Sequence, residues 1–182
     1  MKYKSKIIKK NNNKSSIIGI IGLGYVGMPL SLSFVKAGFK VIGFDVDKKK
    51  IEQIKKKKSY IWSISSKDID IAISKDFEVT TDFSRMSSVD TIIICVPTPL
   101  TKYGQPELRY LVQSINSIIP YVKKGQLISI ESTTYPGTTE EELIPRLQKK
   151  GFIVGKDIYV CYSPEREDPG NQSYSTRTIP KV

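Results

Sequence analysis

The stretch Ile17-Ile18-Gly19-Ile20-Ile21-Gly22-Leu23-Gly24-Tyr25-Val26-Gly27 carries an apolar strand directly into a Gly-x-Gly-x-x-Gly turn. A second apolar run, Val41-Ile42-Gly43-Phe44, then closes on Asp45. In a turn of this form the first glycine, Gly22, permits the tight bend and the second, Gly24, removes a Cβ from the path of a pyrophosphate. The third, Gly27, lets the following helix pack closely on the strand. The helix opening at Tyr25 and Val26 offers free N–H groups and a positive dipole end to phosphate oxygens. Val26, Leu30, Phe34 and Ala37 recur at helical spacing and are the expected inner face, and Gly38 sits where a C-terminal glycine belongs. Asp45 falls at the distance expected of the acid that accepts both ribose hydroxyls of an adenosine. Its charge repels a 2′-phosphate, so the pattern implies a dinucleotide-binding βαβ unit that takes NAD rather than NADP.

At 182 residues the chain has the length of one ordinary domain and is short for a two-domain dehydrogenase. No apolar run approaches a membrane span, and no hydrophobic signal core precedes Ile17, so a cytoplasmic location without membrane insertion is expected. Cys95 and Cys161 each lie in an apolar, strand-like run without metal-ligand spacing; they are expected to be core thiols, and no metal site is expected. The net charge of +11 raises the possibility of nucleic-acid binding. The basic residues, however, cluster in two places that suit solvated surface better than a groove. Residues 1–16 hold six lysines and no acid, with little apolar content beyond Ile7 and Ile8, and are expected to be a disordered tail ahead of a domain at 17–182. The second cluster, between Lys48 and Lys58, reads as a helix with Ile51 and Ile54 turned inward. Lysine, asparagine and isoleucine are abundant throughout, which points to compositional drift, so no nucleic-acid partner is expected.

Beyond Asp45, helix-like and strand-like segments alternate, the pattern of a mostly parallel sheet covered by helices. Helices are expected at 48–57, 66–74, 107–122 and 138–149, and strands at 77–81, 91–96, 126–130 and 158–162. With the two strands flanking the glycine turn, this gives a Rossmann-like, doubly wound α/β fold: a mostly parallel six-stranded sheet with helices on both faces. Three polar loops each follow the carboxyl end of a strand: Pro97-Thr98-Pro99, Glu131-Ser132-Thr133-Thr134-Tyr135-Pro136-Gly137, and Ser163-Pro164-Glu165-Arg166-Glu167-Asp168-Pro169-Gly170. That edge is where open α/β sheets bind ligands, so these loops, the glycine turn and Asp45 should line one crevice. Thr138 and Thr139 followed by Glu141 and Glu142 form a capping-box pattern and are assigned to helix initiation. Tyr135 and Pro136 are assigned to shaping their loop.

Four segments together, Gly22 to Leu30, Cys95 to Thr101, Glu131 to Glu140 and Tyr162 to Asn171, resemble the UDP-glucose/GDP-mannose dehydrogenase family. The likeness runs from Ile17 to Val182. It is strongest to the branch that oxidises UDP-N-acetylglucosamine, because UDP-glucose enzymes usually carry a lysine before the Ser-Thr of the second loop, where this chain has Glu131. The resemblance implies oxidation of a sugar C6 alcohol to the carboxylate by two NAD, through a thiohemiacetal and a thioester on a cysteine. It also implies that Gly22, Gly24, Tyr25, Val26, Gly27, Asp45, Lys50, Pro97, Thr98 and Thr133 bind NAD. Thr133 would help position a catalytic water and Glu165 would serve thioester hydrolysis, while Glu167 or Asp168 lies near a second acidic position. The chain has no histidine, which is compatible with base work by water, carboxylate and lysine.

The family's nucleophilic cysteine, its oxyanion-stabilising lysine and asparagine, and its nucleotide-sugar site belong to a central helical region and a C-terminal domain that have no counterpart here. Neither Cys95 nor Cys161 matches the nucleophile. The expectation is therefore an NAD-binding part, inactive alone, whose UDP-sugar substrate and homo-oligomer contacts require the remainder. UDP-glucose or UDP-N-acetylmannosamine as substrate, or a non-catalytic NAD-binding remnant, remain as alternatives.

Overall fold

A computed structural model describes residues 2–164. The apolar runs form six strands: β1 (Ile17–Ile21), β2 (Lys40–Phe44), β3 (Phe77–Thr80), β4 (Thr91–Ile94), β5 (Leu127–Ile130) and β6 (Tyr159–Tyr162). They make one sheet in the order β3-β2-β1-β4-β5-β6, with every neighbouring pair parallel. The order reverses between β1 and β4, so the crevice at a doubly wound sheet's switch point opens beside the glycine turn. Strand β4 is buried along its whole length, as its unbroken apolar run predicts.

Helices cover both faces. Helices α2 (Gly27–Lys36), α3 (Lys48–Lys55) and α4 (Ser66–Ile73) enclose one core with Met28, Val35, Ile51, Ile54, Ile69 and Ala72. On the other face, α5 (Arg109–Ile118), α6 (Ile144–Lys149) and the 3-10 turn Phe83–Ser88 enclose Met86, Leu111, Ile115, Ile118 and Leu147. The expected inward residues of α3, Ile51 and Ile54, are both buried.

Four expectations need correction. First, the tail is not disordered, since Lys2–Asn12 form a helix, α1, lying at the amino-terminal edge of the sheet. Ile7 is buried there, the Lys10 ammonium lies 2.7 Å from an Asp90 oxygen, and Ser16 hydrogen-bonds Asn11. The other Asp90 oxygen accepts the Ile17 N–H, tying the helix to the start of β1. One apolar anchor and one shared carboxylate supply the tertiary contacts that composition did not suggest.

Second, the fully buried residues of α2 are Gly27, Met28, Ser31 and Val35; of the expected inner face, Val26, Leu30 and Phe34 are half-buried against the same core and Ala37 is exposed. A Cβ on Gly27 would stand 1.9 Å from the Gly22 carbonyl oxygen, so the bare glycine turns its own side of the helix toward the sheet. Ser31 is tolerated inside because its hydroxyl donates to the Gly27 carbonyl at 2.7 Å. Gly38 ends the helix as expected at φ +92°. The Phe39 and Gly38 N–H groups donate back to Phe34 and Val35, and the Phe34 and Phe39 rings meet edge to face at 5.8 Å.

Third, no side chain caps the helical segment after Gly137; the Thr138 hydroxyl donates to the Tyr135 carbonyl instead. The segment opens as a π-helical turn, Thr139–Leu143, before α6. Fourth, Cys161 is exposed, because β6 is paired on one side only among the described residues, whereas Cys95 is buried as expected.

Candidate functional site

A cleft of about 580 Å³ opens where the sheet order reverses. It is lined by Gly22, Gly24, Tyr25 and Val26 of the glycine turn, by Asp45 and Lys50, and by Pro97, Thr98 and Thr133. These residues come from four different βα loops and the start of α3, and the chain brings them together because β1, β2, β4 and β5 are adjacent and parallel.

The glycines divide their work. Gly22 stands at φ +88°, with room for no Cβ because the Cys95 carbonyl oxygen would be 2.5 Å away. A Cβ on Gly24 would meet nothing within 4 Å, so it would project into open cleft. Gly24 is therefore not required by packing. Its lack of a side chain leaves a backbone cradle for a ligand that approaches the main chain, the arrangement a pyrophosphate needs. Gly27 does not line the cleft; it sits beneath it and sets how closely α2 approaches β1.

Asp45 is 6% exposed and its carboxylate is already oriented by the backbone. One oxygen accepts the Leu23 N–H at 2.9 Å, the other accepts the Asp47 N–H at 2.9 Å, and the Lys50 ammonium lies 3.4 Å from the first. Asp47 in turn caps α3 by accepting the Lys49 N–H. A carboxylate so held can accept ribose hydroxyls without reorganising, and its single negative charge disfavours a phosphate beside it.

Several lining residues carried no signal in the sequence reading. Ser132 is buried and donates to the Val96 carbonyl at 2.8 Å, which ties the loop after β5 to the loop after β4 and so sets Thr133 relative to Thr98. The polar stripe of α5 also lines the cleft, with Tyr110, Gln113, Ser114 and Ser117 at helical spacing and Leu111, Ile115 and Ile118 buried. An uncharged stripe of this kind in so lysine-rich a chain was the available clue. Tyr135 shapes its loop, its hydroxyl donating to Glu141 at 2.6 Å. Glu165, Glu167 and Asp168 lie outside the described residues, as does most of the Ser-Pro-Glu-Arg loop. Among the described residues no group of histidine, cysteine, aspartate and glutamate could hold a metal, and no helix is long and apolar enough to cross a membrane.

Known proteins share both the sequence and the architecture. The family model for the UDP-glucose/GDP-mannose dehydrogenase family, NAD binding domain, matches residues 16–182. The chain is 36% identical over 166 residues to Protein CapL of Staphylococcus aureus and, to the same degree, to UDP-N-acetyl-D-glucosamine 6-dehydrogenase of Salmonella typhi. In each case the match covers 91% of this chain and 38% of the relative. A solved structure of the UDP-N-acetyl-mannosamine dehydrogenase Cap5O from S. aureus superposes with a TM-score of 0.79 at 32% identity, over 85% of this chain and 37% of that one. The chain thus spans little more than a third of the relatives it matches.

Proposed function

The chain belongs to the UDP-glucose/GDP-mannose dehydrogenase family, whose NAD binding domain it matches over residues 16–182, and from that premise we propose a nucleotide-sugar 6-dehydrogenase that acts on UDP-N-acetylglucosamine. The whole reaction converts the sugar's C6 alcohol to the uronate. Bound NAD supplies the hydride acceptor. The 182-residue chain supplies cofactor binding and orientation, and alone it turns over negligibly.

The observation that carries this reading is the convergence of Gly24, Asp45, Thr98 and Thr133 on one cleft at the switch point. In the proposed assignment, Asp45 accepts the adenosine ribose hydroxyls, Lys50 balances charge at that end, and Gly22, Gly24, Tyr25 and Val26 cradle the pyrophosphate. Pro97, Thr98 and Thr133 flank the nicotinamide, with Thr133 also near the reacting carbon and Glu165 serving thioester hydrolysis. A UDP-N-acetylmannosamine substrate is the second reading, supported by the likeness to Cap5O. Cytoplasmic location and self-association through the family's central helices belong to the same proposal.

The test is calorimetric titration with NAD and NADP, together with NADH formation from UDP-N-acetylglucosamine. NAD should bind in preference to NADP, and Asp45→Asn should weaken NAD by about 1–3 kcal/mol, the worth of a hydrogen bond to a charged group. Equal binding of NAD to both proteins would remove Asp45 from the site, and clear turnover by the chain alone would overturn the assignment of chemistry to the remainder.

A further inference from the structure

Tyr60 lies in the loop between α3 and α4, outside the cleft lining, yet its hydroxyl donates to the Leu23 carbonyl at 2.5 Å. Leu23 is the residue between the first two glycines of the turn. Its side chain is fully buried, wedged over Gly43, where an added Cβ would meet Leu23 Cδ2 at 2.8 Å. Its N–H is taken by Asp45. Tyr60 thus completes a set of three restraints on one residue, holding the side chain, the N–H and the carbonyl.

The carbonyl matters because of what shares its peptide plane. The Leu23–Gly24 peptide is trans, as are all those among the described residues, and in a trans peptide the C=O and the following N–H point in opposite directions. A hydroxyl that holds the Leu23 carbonyl toward Tyr60 therefore turns the Gly24 N–H away from Tyr60; Gly24 lines the cleft and Tyr60 does not. We infer that Tyr60 is a positioning residue for the cofactor pyrophosphate, fixing the Leu23–Gly24 peptide so that the Gly24 N–H is presented to a phosphate oxygen before the cofactor arrives.

The loop that carries Tyr60 is built to hold it. Ile61 and Ile64 on the C-terminal side are buried, the Ser59 hydroxyl bridges the Ile61 carbonyl and N–H, and Ser65 opens α4 with a complete capping box to Asp68. Burial, and then the Asp45 and Asp47 carboxylates, push the Tyr60 phenol well above its ordinary range, which favours the protonated, donating hydroxyl.

This inference rests on the NAD reading, and two ligands separate the failures. Adenosine reaches Asp45 but carries no pyrophosphate; NAD carries both. Tyr60→Phe keeps the ring and removes only the hydroxyl. The expected result is NAD binding weakened about ten-fold with adenosine binding unchanged, the loss of one oriented donor to a charged group. Amide NMR supplies a second readout, in which the Gly24 resonance moves on NAD addition to the wild-type chain and moves less in Tyr60→Phe. NAD affinity equal in the two proteins overturns the role of Tyr60 alone. Equal weakening of NAD and adenosine assigns Tyr60 a merely structural part and overturns it too. A wild-type chain that binds neither ligand overturns the cofactor reading and this inference with it.

Discussion

Three glycines in one turn serve three separable physical needs, and two of them can be told apart by substitution. Gly24→Ala adds a methyl to open cleft, so stability should hold within about 0.5 kcal/mol while NAD binding falls at least about ten-fold. Gly27→Ala drives a Cβ to 1.9 Å from the Gly22 carbonyl oxygen, a backbone atom that cannot rotate away. It should destabilise the fold by about 1–3 kcal/mol. Urea unfolding of the two variants beside NAD titration checks both, and a Gly24→Ala protein that melts early yet binds NAD normally would reverse the assignment. The motif identified these positions and their division of labour, but not the contacts that enforce it. That division depends on Cys95 and Gly22 backbone oxygens whose approach is set by strand neighbours, not by spacing along the chain.

Secondary-structure elements were legible in type and order, with their ends displaced by a few residues. Two elements were misread. Helix α1 was hidden because its docking depends on Asp90, 80 residues away from Lys10. The most deeply buried side of α2 is turned from the expected one because a close glycine contact decides the orientation, leaving Leu30 and Phe34 half-buried against the same core. Between elements, Glu78 on β3 joins Lys40 of β2 at 2.8 Å and Arg85 of the 3-10 turn at 2.5 Å. Hydrogen bonds from Lys40 and then Arg85 hold its carboxyl below the usual glutamate range. A depressed folded value means that the stabilisation is present above the unfolded pKa of about 4.3 and is lost as pH falls through the folded value. Glu78→Gln should accordingly be less stable than wild type at neutral pH. The difference should stay under about 1 kcal/mol because the pair is solvent-screened, and should close as pH falls through the depressed folded value. Thermal melts from pH 7 to pH 3 measure it; a gap independent of pH would mean the effect is not ionic.

At the scale of the whole molecule, a cofactor that binds only the folded chain must stabilise it. NAD at one hundred times its dissociation constant should add about 2.7 kcal/mol, and NADP at the same concentration distinctly less. Differential scanning calorimetry reads both, and a melting temperature indifferent to NAD would contradict binding in the cleft. The same scale explains which site residues were readable. Gly22, Gly24, Tyr25, Val26 and Asp45 announce themselves because turn, helix start and acid are consecutive parts of one βαβ unit, whereas Lys50 follows only from the family resemblance. Ser132 and Tyr60 do not, because each acts on a backbone carbonyl 36 or 37 residues away.

The amino-acid sequence by itself determined the fold class, the strand count, the cofactor turn with its acid, and the family, because these rest on local periodicity and on motifs contained within single loops. Only the tertiary structure decided that the strand order reverses between paired β1 and β4, that α1 docks, that α5 joins the cleft lining, and that Tyr60 and Ser132 hold the turn and its neighbouring loops. Those features are contacts between residues distant along the chain. Their geometry exists only once the parallel sheet has set each strand end beside the next.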